Sequence, residues 1–471
     1  MKKKLSMLII AALMATTISG CGGSGQSESK SAETQAAEKA ETQAASGEVE
    51  SKESSDAADD GIDYSGTITM FCGTEDSKAF DAVMAEYQKL HPDVNIEYII
   101  WENVTDFETM MTNYIATDTL PDMYRGQVGV VQQQYAMEGY LLPLDDLDVE
   151  GNLVNGDTSL IKYKDSLYSF PMTIAYSVTL CNNDKLKELG IDLTYDNYPK
   201  CMDEFVDLLQ KCREAGCEYP FSVAGSDTSS CTAWPFQYIY QVLYGGNPNF
   251  YADVLSGKAD WADPEFLKMF DEYDRLREYM APDTAAKTTD GQKADFISGD
   301  TIFFSQTASA LTGLRNLDPD MDILMIPSSF TEKPEDQTLI GGFDDGISIT
   351  TGAKNPELCK DFLKFIASKE GCEIYCSNSS CVPTVKGAEI DSDPAFRIIL
   401  EIASKGDLPN SAILSRQWIS GFKELLKTGC QNWLVGEEPQ SVVDKISKEH
   451  TRLMEASPDW VQNFLADYEY K

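Results

Sequence analysis

The chain has 471 residues, with 77 Asp and Glu against 38 Lys and Arg, a formal net charge of -39 and only two histidines. That length allows about two to four domains at ~100–200 residues each and a substantial core. Acidity on this scale argues against a protein that neutralises nucleic-acid phosphates or anionic headgroups, and His91 and His450 alone leave little for His-based metal centres or general-base catalysis.

In chain order, Met1-Lys2-Lys3-Lys4, an apolar run from Leu5 to Met14 and small residues up to Gly20 have the layout of a secretory signal peptide, too short for a bilayer-spanning helix of ~20 residues. The end of this run resembles a bacterial lipobox, with Ile18 three positions before Cys21. The resemblance implies cleavage after residue 20, acylation of the Cys21 thiol, and a mature protein anchored by lipid at the extracellular face of the cell membrane. Each buried CH2 of an acyl chain contributes about 0.8 kcal/mol, so two or more chains anchor stably. From Gly22 to about Asp60 the chain is Ser, Ala, Gln, Thr, Glu and Gly, with ten acidic residues against three lysines. Such a segment cannot bury enough apolar surface to order itself and reads as a flexible stalk, so residues 21–64 form a linker.

The remainder reads as alternating strands and helices. Thr67–Cys72 is β-rich, and Phe80, Val83, Met84, Tyr87 and Leu90 share one helical face that His91-Pro92 ends. Val94–Ile100 alternates as a strand, and Phe107, Met110, Met111, Tyr114 and Ile115 mark a second helix before Pro121-Asp122-Met123-Tyr124. This βαβαβ order predicts a parallel sheet and an α/β fold. Further helices are predicted around Phe205–Cys212 and Phe266–Tyr279, and buried strands at Ile302–Phe304 and Ile323–Ile326.

The order of these segments resembles the family 1 extracellular solute-binding proteins of ABC importers, the maltose-binding-protein-like sugar receptors. The pieces that carry the resemblance are Gly66-Thr67-Ile68-Thr69, Thr117–Asp122, Gly139–Asp146, Tyr163–Pro171, Asn183–Ile191, Phe296–Asp300, and Gly341–Ile349 followed by Asn355–Leu363. Departures from the family pattern sit at Cys181-Asn182-Asn183, at Lys200–Phe205, and at Gln306-Thr307-Ala308, where a family aromatic is absent. The resemblance implies a type II periplasmic-binding-protein fold: two α/β lobes, a hinge and a ligand cleft between them. The first lobe would hold 65–173 and 328–376, the second 174–327 and 377–471. It further implies a monomer without cofactor or catalytic residues that hands a neutral mono- or oligosaccharide to a membrane permease.

Ligands of open α/β sheets sit beyond the C-terminal strand ends. Thr74, Glu75 and Asp76 follow the first strand, where they would accept sugar hydroxyls or cap the helix; Trp101 ends the second; Arg125 and Gln127 follow the third; and Tyr176 lies past the presumed crossing. Phe343, Asp344 and Asp345 occupy a Gly-rich turn. By the resemblance, Trp234 stands where family members often place a sugar-stacking aromatic, and Gln306 also falls among the site candidates.

Beyond Cys21 there are eleven cysteines, an odd number that cannot all pair within one chain; such abundance in an exported protein suggests an anaerobic habitat. The spacing of Cys372, Cys376 and Cys381 matches no zinc pattern, so no metal site is expected. Walker, nucleophile-elbow and zincin motifs are missing. Two carboxylates at ~5–9.5 Å suffice for glycosidase chemistry, so a glycan-cleaving enzyme is the rival reading, and a non-transport adhesin is a third.

Overall fold

The computed structural model describes residues 61–101, 104–154, 158–379 and 381–468. The predicted signal peptide, Cys21 and nearly all of the predicted linker lie outside these residues. Strand β1 (Gly66–Gly73) buries Ile68, Met70, Phe71 and Cys72, and is followed directly by helix α1 (Thr74–Tyr87). Ala79, Phe80, Val83, Met84 and Tyr87 recur at helical spacing and are buried on one face of α1. The predicted helical face extended to Leu90, but the helix stops at Tyr87 and Leu90 is 67% exposed, because the approach to Pro92 disfavours helical backbone. Strand β2 (Val94–Trp101), helix α2 (Val104–Thr117), strand β3 (Met123–Gln127) and helix α3 (Val130–Met137) complete the predicted alternation.

The parallel sheet holds only in part. β1 lies between β2 and β3 and pairs with both in parallel, but strand Asp345–Ile349 adds to β3 antiparallel, and Phe170–Pro171 adds to that strand in the same sense. The strand beside β3 belongs to chain returning from the second lobe, and so arrives from the opposite direction.

Strand Ile174–Asn182 crosses into the second lobe and organises its sheet, pairing antiparallel with Leu339–Phe343, Phe303–Thr307 and Ile323–Pro327. The last two are the predicted buried strands, the predicted helices appear as Met202–Glu214 and Pro264–Arg277, and the resemblance segment Asn355–Leu363 lies in helix Pro356–Ile366. Separate cores form around the two sheets. One gathers Met70, Phe80, Phe170, Ile347 and Phe362, a smaller one Phe71, Phe107, Met111 and Tyr124, and the one in the second lobe Val178, Phe205, Trp234, Phe303 and Trp433. Phe330, Leu339 and Ile340 pack into the core of the second lobe and Val385 into the first core.

Candidate ligand-binding site

The C-terminal ends of β1, β2 and β3 meet at one polar cluster. Gly73 closes β1 and its N–H donates to the Asp76 carboxylate at 3.2 Å, so Asp76 caps α1 from within its first turn. A Cβ on Gly73 would lie 3.0 Å from that carboxylate and 3.2 Å from the Trp101 ring. Glycine here lets the indole lie close against the turn. Trp101 packs edge-on to Phe107 at 5.9 Å, and its Nε1 is buried without a partner.

Arg125 projects from β3 between two carboxylates, 2.9 Å from Asp76 and 3.2 Å from Asp345. The Tyr375 hydroxyl, from helix Lys369–Ser379, donates to Asp76 at 3.2 Å. Burial pushes the Asp76 carboxyl up, opposed by the Arg125 charge and reinforced by Asp345. Burial acts to lower the Arg125 pKa, but Tyr375, Asp76 and Asp345 outweigh it and hold the guanidinium well above its usual value. Gln127 faces Asp345 across the antiparallel ladder.

A second group comes from the other lobe. The Asp344 carboxylate forms an ion pair with Arg416, while the Asp344 carbonyl accepts the Val128 N–H at 2.9 Å. Arg416 is buried, which draws its pKa down to about 10, and its Nε and Nη1 lack partners. Gly129, at φ 109, precedes α3, and a Cβ there would lie 2.5 Å from the Arg416 carbonyl, so both backbone conformation and close approach require glycine. In the first turn of α3, Gln132 buries an amide whose nitrogen and oxygen are both unpartnered. Lys423, in helix Phe422–Leu434, is brought down to about 7 by burial and by neighbouring Arg416 and Lys427.

Asp76, Trp101, Arg125, Gln127, Asp344 and Asp345 are thus brought together, and other sequence candidates fall elsewhere. Thr74 is exposed at the start of α1, and the Glu75 side chain lies outside the described set. Tyr176 packs against Gly341, where a Cβ would meet its ring at 2.5 Å. Gln306 turns its amide oxygen onto the Thr307 N–H at 3.1 Å. Phe343 is buried in the first core. Trp234 is corrected outright: it lies inside helix Thr228–Tyr238, 1% exposed, and its ring stacks on Tyr273 at 4.6 Å, leaving no face for a ligand. Tyr375, Arg416 and Lys423 escaped the sequence reading. Arg416 had one signal, being the only cation between Lys405 and Lys423, in the otherwise uncharged run Ile413–Ser420.

The family model for bacterial extracellular solute-binding proteins matches residues 73–371, beginning at the glycine that opens this cluster. The chain belongs to that family. Its two-lobed fold is also that of binding protein MsmE from Bacillus subtilis in an open conformation, with a TM-score of 0.68, 21% identity, and coverage of 84% of this chain and 99% of that one. A sugar transporter from Bacillus licheniformis, solved in complex with stachyose, superposes with a TM-score of 0.67 at 19% identity, covering 82% and 100% of the two chains. In sequence, the diacetylchitobiose binding protein DasA of Streptomyces coelicolor is 24% identical over 78% of this chain and 79% of its own. Among the described residues no group of His, Cys, Asp and Glu is arranged to hold a metal ion, and no helix is long and apolar enough to cross a membrane.

Proposed function

We propose that this solute-binding protein captures a neutral carbohydrate, a mono- or oligosaccharide, by closing its lobes over it, and delivers it to an ABC permease. The observation that carries this reading is the Asp76–Arg125–Asp345 cluster, flanked by Trp101, beside Asp344, whose carboxylate pairs with Arg416 from the opposite lobe. Carboxylates and amides suit sugar hydroxyls, and an indole suits the apolar face of a pyranose. A ligand touching both lobes binds the closed form better and so favours it. Arg125 is already flanked by two carboxylates and Arg416 is paired with Asp344, so neither guanidinium offers an uncompensated charge to a phosphate ester. The named ligands of similar proteins, diacetylchitobiose and stachyose, are neutral oligosaccharides and agree with this class.

Screening a neutral glycan panel by calorimetry and thermal shift should find a binder, and at 100 times its dissociation constant that ligand should stabilise by about 2.7 kcal/mol. A response to phosphate esters or peptides but to no neutral sugar would overturn the assignment. Asp76 and Asp345 hold the same guanidinium, which leaves neither free as an acid or nucleophile. Incubation with bound oligosaccharide should therefore release no reducing ends, and turnover would favour the glycosidase alternative.

Arg416→Ala should weaken ligand binding at least tenfold, because it removes a contact between the lobes and leaves the half-buried Asp344 unpaired. Small-angle scattering of the variant should show a larger radius in the presence of ligand than the wild type does. Equal radii and equal affinity would remove Arg416 from closure. The lipid anchor belongs to the same proposal, with the stalk keeping the receptor at high effective concentration near its permease. Cys21→Ser should release the protein into the medium, and retention at the membrane would refute the anchor. Deleting the gene should abolish uptake of the bound sugar, which a pure adhesin would not do.

A further inference from the structure

Helix Lys369–Ser379 turns Cys372, Tyr375 and Cys376 inward, where all three are buried. Just past its end, Cys381 brings its sulfur to 3.0 Å from Cys376 Sγ, and Cys372 Sγ lies 3.9 Å from Cys376 Sγ. All eleven thiols among the described residues are free, and Cys381 alone is less than fully buried. A thiol with two others within 4 Å of it, one of them reachable, is an arrangement that packing of small apolar side chains does not require. The Ser379 hydroxyl donates to Cys381 Sγ at 3.1 Å.

We propose that Cys376 and Cys381 are an oxidisable dithiol, converted to a cystine by a low-molecular-weight disulfide of the glutathione type. Cys381, as thiolate, attacks one sulfur of the small disulfide; a mixed disulfide forms on Cys381 and one small thiolate leaves, taking up the proton that Cys381 gave to solvent. Cys376 then attacks the Cys381 sulfur while its proton passes to the Cys372 thiolate, and the second small thiolate departs and takes up that proton from Cys372 through solvent, returning Cys372 to its starting form. Two protein thiols are oxidised and one small disulfide is reduced to two thiols. The sulfurs need to approach by only about 1 Å to reach the ~2.05 Å of a disulfide bond.

Cys372 suits the role of proton acceptor. The hydrogen bond from Cys376 outweighs burial and, with the backbone at Val385 and Thr384, brings Cys372 down to about 7, while Cys376 is pushed up by both flanking thiols. Placement gives the bond a structural consequence. Val382, the next residue, bridges Ile174 at the start of the crossing strand, and Tyr375, the preceding one on the helix, holds Asp76. The cystine fastens the hinge to the helix that supports the candidate ligand site.

The test treats the mature full-length protein with oxidised glutathione, then denatures it, alkylates with iodoacetamide and maps the peptides by mass. Cys376 and Cys381 should lose alkylation together and yield one cross-linked peptide that dithiothreitol reverses. Cys376→Ser should stop at glutathione held on Cys381, and Cys372→Ser should slow cystine formation about tenfold without preventing it. Wild-type protein that keeps both thiols alkylatable, that retains glutathione on Cys381, or that cross-links other cysteines equally fast would overturn the proposal. The wild-type result decides the matter even where a variant fails to fold, and it does not depend on which solute the protein binds.

Discussion

Replacing Arg125 with Met is expected to destabilise the folded body by about 3–5 kcal/mol, the usual cost of removing one partner from a buried ion pair. Two carboxylates, Asp76 and Asp345, would then face each other with no cation between them. The charge accounts for the loss more than the volume does, since Met fills much of the same space. Acidity should therefore rescue the variant. Burial already raises the Asp76 carboxyl in the native protein, and removing Arg125 takes away the lowering influence that opposes it. A carboxyl whose folded pKa lies above its unfolded value of about 3.9 contributes stability at low pH and loses it as pH rises through the folded value. The deficit of Arg125→Met, read from urea unfolding, should shrink between about pH 7 and about pH 5, and adding Asp76→Asn should shrink it at neutral pH. A deficit independent of pH would mean that shape, not charge, holds the cluster together.

The part of this site visible in the sequence is the part built locally. Asp76 follows a β-rich run and opens a helix, Trp101 ends an alternating strand, and Arg125 lies two residues beyond Met123, so chain order alone places all three at one edge of one sheet. The antiparallel return of Asp345–Ile349 was not visible, because direction within a sheet depends on where the chain has been between two strands. Tyr375 and Arg416 were hidden for the same reason: Tyr375 reaches Asp76 from 299 residues further along the chain and Arg416 reaches Asp344 from the other lobe, on elements whose own periodicity says nothing about those contacts. Cys376 and Cys381 were visible as a spacing but unreadable as a pair, since it takes the end of a helix to fold one sulfur back on the other.

Trp234→Ala is the second substitution with a large expected effect, and it separates a core aromatic from a ligand platform. An exposed indole that stacked on sugar would lose affinity on truncation and leave stability nearly unchanged. Trp234 instead belongs to a column in which its ring lies 5.8 Å from Tyr238 and 4.6 Å from Tyr273, Tyr273 stacks on Trp433 at 4.6 Å, and the Arg277 guanidinium covers Trp433 at 4.2 Å. Alanine would open a cavity in the middle of that column, and burial this complete gives losses of about 3–5 kcal/mol. The midpoint of urea unfolding should fall accordingly, while affinity for a confirmed ligand, measured on the folded fraction, should stay within about twofold of wild type. Trp101→Ala should show the reverse weighting, with a smaller loss of stability than Trp234→Ala and binding weakened at least tenfold, because that indole borders the polar cluster and is only partly buried against the core around Phe107. Trp234→Phe supplies a finer test. The indole Nε1 of Trp234 is buried without a partner, so phenylalanine removes an unsatisfied donor together with ring volume, and its cost should fall well short of half that of alanine. A phenylalanine variant as unstable as the alanine one would show that the indole N–H has a partner, such as an ordered water, within the core.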